Sequence, residues 1–324
     1  KEYWAMFYSA AGGGVLIALM ALFKTYLGSI IDDKVWKGIA EGLNYGLGFM
    51  VIFMLHFTVA TKQPAMTAAR FAEAVEKTPQ GKTVNMKLAQ LLVDVFRSQS
   101  IAVLGNVLIA MGLAALIAFG YQYKTGEPLM NADQIAYQLH SIDPFAGTLW
   151  FAAIAGVWLF CSGIISGYFD NRSNYLNMRM RLTQHPLLKK LMSEKTRVKF
   201  ANYMHENYGS LIGNLCFGML LGITGVVGYL THLPLDIRHV AFSSANVGYI
   251  AVSGQFTYSL LLQCIGFVLL IGLVNLIVSF SLTLWVALRS LNAEIDSWWP
   301  IWHEVCQIVK KRPLSLFLPV QLDK

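Results

Sequence analysis

Apolar residues run almost unbroken through Trp4–Leu27, Ile39–Ala60, Ile101–Gly120, Phe145–Phe169 and Leu211–Leu230, and through the longer Phe256–Leu288. Charged residues gather in the connections between these runs. A membrane helix needs roughly 20 mostly apolar residues to cross a hydrocarbon layer about 30 Å thick. Each run therefore predicts one span, the last being long enough to tilt or project beyond the bilayer. The stretch Val240–Gly254, VAFSSANVGYIAVSG, is short for a span and too apolar for an ordinary loop. It predicts a re-entrant or interfacial helix, which is tolerated only where it is buried in protein or lines a polar cavity.

The predicted fold is all-α: a polytopic transmembrane helical bundle of about six spans, with the extra short helix at 240–254. The transmembrane domain covers 1–288, with helical loops at 61–97 and 170–207 and an interfacial tail at 289–324. Composition agrees. Of the 324 residues, 56% are hydrophobic and 13% charged, against about 25% charged in a soluble domain.

Charge supplies an orientation. The connections Thr61–Arg97 and Asp170–Asn207 carry most of the Lys and Arg, and the tail after Leu288 adds more. The opposite connections hold only Lys34, Lys37, Lys124 and Arg238. The positive-inside rule then predicts the basic loops and both ends of the chain to be cytoplasmic, which requires an even number of spans. Basic residues on that face predict contact with anionic lipid head groups. The start at Lys1 predicts a further N-terminal region that would supply a domain or protein partner.

Helix packing is expected to rest on small residues at four-residue spacing: Gly42/Gly46, Gly163/Gly167, Gly209/Gly213 and Gly218/Gly222, with Gly12-Gly13-Gly14 allowing close contact in the first run. Polar residues inside the spans mark candidate sites. His56, Asn106, Asn214 and Asn275 are read as structural interhelical hydrogen bonders or as one polar pocket in the inner leaflet. Lys24 is read as an interfacial anchor. Lys62, Gln63, Asp170, Asn171 and Arg172 close two spans on the basic side and form a candidate cytoplasmic cluster. Asp236, Arg238 and His239 precede the short helix and form a candidate outer cluster that could brace it.

No catalytic residue set emerges: there is no HExxH, no GxSxG and no acidic metal cluster. Four scattered cysteines form no CxxC, and His303 with Cys306 is too few ligands for a metal. No cofactor is expected.

The segments His56–Val75, Ser166–Pro186, Asn207–Gly222 and Leu233–Tyr249 resemble a family of bacterial inner-membrane proteins known as site-specific recombinases. The resemblance covers essentially the whole chain, as the family's C-terminal membrane portion, and implies a helical N-terminal region before Lys1. The name implies DNA strand exchange, which needs a Ser or Tyr nucleophile beside phosphate-binding cations on a domain that surrounds a duplex. Tyr175 with Arg172, Arg179 and Arg181 is the nearest such grouping. It reads more directly as a basic interfacial helix, so no nucleic-acid partner is expected through this region. The leading functional expectation is a scaffold or accessory protein that is not an enzyme; the alternative is a transporter or lipid-handling protein. The oligomeric state is left open.

Overall fold

The computed structural model describes residues 2–60, 71–75, 82–253, 256–292, 295 and 297–318. Every regular element among these residues is helical. Helices α1 (Glu2–Ile30) and α2 (Lys34–Met54) form a hairpin, and Asp33 starts α2 by accepting from the Val35 and Trp36 amides. Helix α3 (Lys82–Thr125) is continuous over 44 residues, about 66 Å at 1.5 Å per residue. It absorbs the end of the predicted 61–97 loop as well as the third apolar run. Next come α4 (Ala132–Ile142), closed by a reciprocal Asn131–Gln134 cap, and α5 (Thr148–Tyr175). The short helices α6 (Met178–Gln184) and α7 (Pro186–Leu191) separate α5 from α8 (Glu194–Thr231). Helices α9 (Val240–Ala251), α10 (Tyr258–Ser290) and α11 (Trp299–Lys311) complete the order.

Among the described residues, α1, α3, α5, α8 and α10 are each long and apolar enough to cross a membrane. The chain is a multi-span membrane protein. The remaining predicted span, Ile39–Ala60, is helical only as far as Met54 and then turns at Leu55–His56 into irregular chain. Its helix, α2, carries Lys34, Lys37 and Glu41 and does not count with the five helices long and apolar enough to cross a membrane. The short helix forms where expected, as the 12 residues Val240–Ala251. It is enclosed by the bundle on almost every residue and packs chiefly on α3. It does not lie on an interface. Gly254 is outside the described residues.

The tightest junction is α2 against α8, which run antiparallel. Gly42 and Gly46 meet Gly222 and Gly218 backbone to backbone, and a Cβ at Gly46 would lie 2.8 Å from the Leu215 carbonyl oxygen. A Cβ at Gly213 would strike Ser166 and Ser162, so that predicted pair packs α8 on α5. Gly167 faces open space and packs nothing. Around the α2–α8 junction, Tyr45, Phe49, Phe217 and Phe242 interlock as buried rings, with 4.5 Å between the Tyr45 and Phe242 centroids.

Because the atoms facing Gly42 and Gly222 are backbone, they cannot step aside. Gly42→Leu or Gly222→Leu should destabilise the bundle by about 1–3 kcal/mol or more. Gly112→Leu, which points into open space, should be near neutral. Thermal unfolding of the three variants in one detergent checks this.

Candidate functional site: two asparagine clamps and a charged cavity

Irregular backbone inside a membrane bundle leaves N–H and C=O groups that hydrocarbon cannot satisfy. Among the described residues two such breaks lie after α2 and before α9, and a fully buried asparagine serves each. At the first, Asn106 on α3 donates from Nδ2 to the Ala10 carbonyl on α1 and to the Thr58 carbonyl at 3.0 Å. Its Oδ1 accepts from the Ala60 amide at 2.6 Å. The Thr58 amide donates in turn to the Ser9 carbonyl. Gly13 and Gly14 allow the approach, since a Cβ at Gly14 would lie 2.9 Å from the Asn106 carbonyl oxygen.

At the second break, Asn275 on α10 donates to the Ala152 carbonyl on α5 at 2.7 Å and to the Arg238 carbonyl at 3.0 Å. Its Oδ1 accepts from the Val240 amide at 3.1 Å. Val240 opens α9, whose preceding His239 provides no side-chain cap. Asn275 therefore caps α9 from another helix, taking one of the amides that every helix start leaves unpaired.

The expected shared polar layer is not what the structure builds. Asn106 and Asn275 sit in separate clamps, and Asn214 bonds back to the Ser210 carbonyl of its own helix at 2.7 Å. His56 is exposed, with a left-handed backbone at φ 58°; its amide donates to the Phe53 carbonyl and its own carbonyl accepts from Ser9 Oγ. A shared pocket presumes unbroken helices, whereas the helix preceding His56 ends at Met54.

The outer cluster does assemble. Arg238 Nη1 pairs with Asp236 Oδ2 at 2.6 Å, Arg238 Nε donates to the Ser141 carbonyl at 2.8 Å, and the guanidinium lies over the Phe151 ring. His239 is buried among the rings of Phe49, Phe217 and Phe242. These residues form one wall of a half-open cavity of 470 Å³. The lining continues with Lys24, Glu41 and Tyr45 of α1 and α2, with residues of α4, and with Ser243 and Asn246 of α9. Lys24 Nζ lies 3.5 Å from Glu41 and 5.7 Å from the Tyr45 ring centroid. Lys24 is thus turned into the cavity as an ion-pair partner, which its place near a helix end did not reveal. Two opposite charges in adjacent apolar runs, Lys24 and Glu41, were the available signal. Asn246 and the α4 wall carried none.

On the other side of the bundle, Asp170 accepts from the Gly209 amide at 2.9 Å and so ties α5 to α8. Arg172 reaches Tyr168 of its own helix, and Asn171 is exposed, so the three do not converge. Lys62 and Gln63 lie outside the described residues.

These helices and breaks span the length over which a known family can be recognised. The family model described as "Site-specific recombinase" matches residues 1–319. The chain belongs to that family. Comparisons with curated proteins and with solved structures give no match. In this site-specific recombinase family member the described residues contain no strand and no group of three or more His, Cys, Asp or Glu placed to hold a metal.

Replacing either clamp with Leu strands two backbone groups of the break, each costing about 1–3 kcal/mol when unpaired, and removes a second bond from a carbonyl of α1 or α5. Asn106→Leu and Asn275→Leu should each lower the unfolding temperature strongly. Asn106→Asp and Asn275→Asp should be almost as damaging, because a carboxylate accepts but cannot donate to two carbonyls. Thermal unfolding in detergent reads all four; an Asp variant as stable as the parent would contradict the clamp.

Proposed function

We propose that the chain binds a small polar or zwitterionic solute in the Lys24–Arg238 cavity and carries it across the membrane. The observation that carries this reading is a cavity in an otherwise apolar bundle, with charges of both signs among its lining residues. Lys24, Lys37 and Arg238 are balanced there by Glu41, Asp133 and Asp236. An evenly balanced lining favours a ligand that carries both signs, or neither, over a bare anion or cation. The short helix α9 in the cavity lining supports the same reading, since enclosed half-length helices border polar cavities in membrane proteins.

The basic face supports an orientation with this cavity on the outer side of a bacterial inner membrane. It is also what favours the scaffold reading, through exposed groups such as Arg179, which pairs with Glu206 at 3.3 Å. A scaffold has no use for a charged cavity at the other end of the bundle, so solute handling ranks first. No catalytic step is part of the proposal. The strand exchange in the family's name draws no comparable support, because Tyr175 stands exposed at the end of a membrane helix and no duplex-sized groove surrounds it among the described residues.

Purified protein in detergent, screened by thermal unfolding against glycine, betaine, other amino acids, a neutral sugar, a simple anion and a simple cation, tests the reading. Stabilisation by a zwitterion, weakened about tenfold in apparent affinity by Glu41→Gln, and its uptake into liposomes are expected. If nothing in the panel stabilises the protein or crosses the liposome membrane, the proposal fails.

A further inference from the structure

The two asparagine clamps correspond bond for bond. Asn106 Nδ2 meets the carbonyls of Ala10 and Thr58, and Asn275 Nδ2 those of Ala152 and Arg238. Asn106 Oδ1 accepts from Ala60, two residues after Thr58, and Asn275 Oδ1 from Val240, two residues after Arg238. The Thr58 amide donates to Ser9, the residue before Ala10; the Arg238 amide donates to Phe151, the residue before Ala152. Even the glycine covering each asparagine's own carbonyl recurs four residues after the alanine, as Gly14 and Gly156.

The sequence carries the same correspondence once the register is known. Ala10-Ala11 with Gly14-Val15 matches Ala152-Ala153 with Gly156-Val157. Gly38, Gly42 and Gly48 on α2 match Gly218, Gly222 and Gly228 on α8, and one constant interval along the chain relates these glycines and both break residues. The matched glycines also meet each other. Gly42 touches its own counterpart Gly222, while Gly38 meets Val226 and Gly46 meets Gly218 in reciprocal fashion. Reciprocal contact of this kind marks a two-fold axis. Because α2 and α8 are antiparallel, the axis relates units of opposite direction across the bundle.

We propose that the chain is an inverted repeat, α1–α2–α3 and α5–α8–α10, whose halves rock about the Gly42–Gly222 contact to expose the cavity region alternately to the two faces. In such repeats the binding site lies between the halves, at broken helices, and access alternates by exchanging the halves' conformations. The asymmetry needed for that exchange is present. Beside Asp236–His239 the second break opens into the 470 Å³ cavity. At its counterpart, His56–Val59, the break is held against α1: Phe57 lies against Gly12, and Ser9 Oγ lies 2.8 Å from Thr58 Oγ1. The structure is one of two states, with the first break closed. The function served by this motion rests on the solute reading above.

Single cysteines in liposome-reconstituted protein test the motion without any solute. Cys161, Cys216 and Cys306 are first replaced by Ser; Cys264 is buried and is kept. Asn246→Cys should react with a membrane-impermeant maleimide from one face only, and Thr58→Cys from the opposite face only and more slowly. A Ser9→Cys/Thr58→Cys disulfide holds the first break shut. It should raise the Asn246→Cys labelling rate about twofold if the two states are comparably populated. Thr58→Cys labelled from the same face as Asn246→Cys, Thr58→Cys protected from both faces, or a disulfide that leaves the Asn246→Cys rate unchanged would each overturn the proposal. Opposite-face labelling in a protein that binds none of the screened solutes would uphold the repeat and remove only the solute reading.

Discussion

The structure depends on one constraint: backbone that leaves the helix inside a membrane bundle must find its hydrogen bonds within the protein. Two chain breaks create that need, and one side-chain type meets it. Asparagine donates two N–H bonds and accepts at its oxygen from a short, stiff stem. Asn106 and Asn275 use all of that capacity on backbone groups of other elements. Each therefore joins a break to two long helices, and the helix pairs α1–α3 and α5–α10 are held in register at the same points.

Close packing of α2 on α8 has a second consequence. With glycines lining the contact, the two helices meet at backbone distance and leave no room for side chains between them. Side chains on the flanks must then point elsewhere, and on one side Glu41 and Tyr45 point towards Lys24 and the Asp236–Arg238 pair. Charges that would be costly facing lipid are placed where they can pair with one another. The cavity is thus a product of the packing, and α4 and α9 complete its lining.

This arrangement sits uneasily with the activity named by the family. Strand exchange needs a nucleophile among cations that can reach both strands of a duplex, whereas the paired charges here face a half-open cavity of 470 Å³. The family match places the chain among its relatives. Both the clamps and the cavity fall inside the matched region, residues 1–319.

Span positions were legible in the sequence because hydrophobicity is local: an apolar run of sufficient length must coil and cross whatever its neighbours are. Asn106 and Asn275 stood out for the same reason, as polar groups where none is cheap, and Val240–Gly254 was legible as a helix too short to cross. The end of α2 at Met54, the inward turn of Lys24 and the separation of the four predicted pocket residues were decided only by tertiary structure. Each depends on which distant backbone groups a side chain meets, and hydropathy along the chain says nothing of partners. The repeat was hidden for a related reason: only the residues at the clamps and the α2–α8 contact are constrained to match, and lipid-facing positions between them need only be apolar.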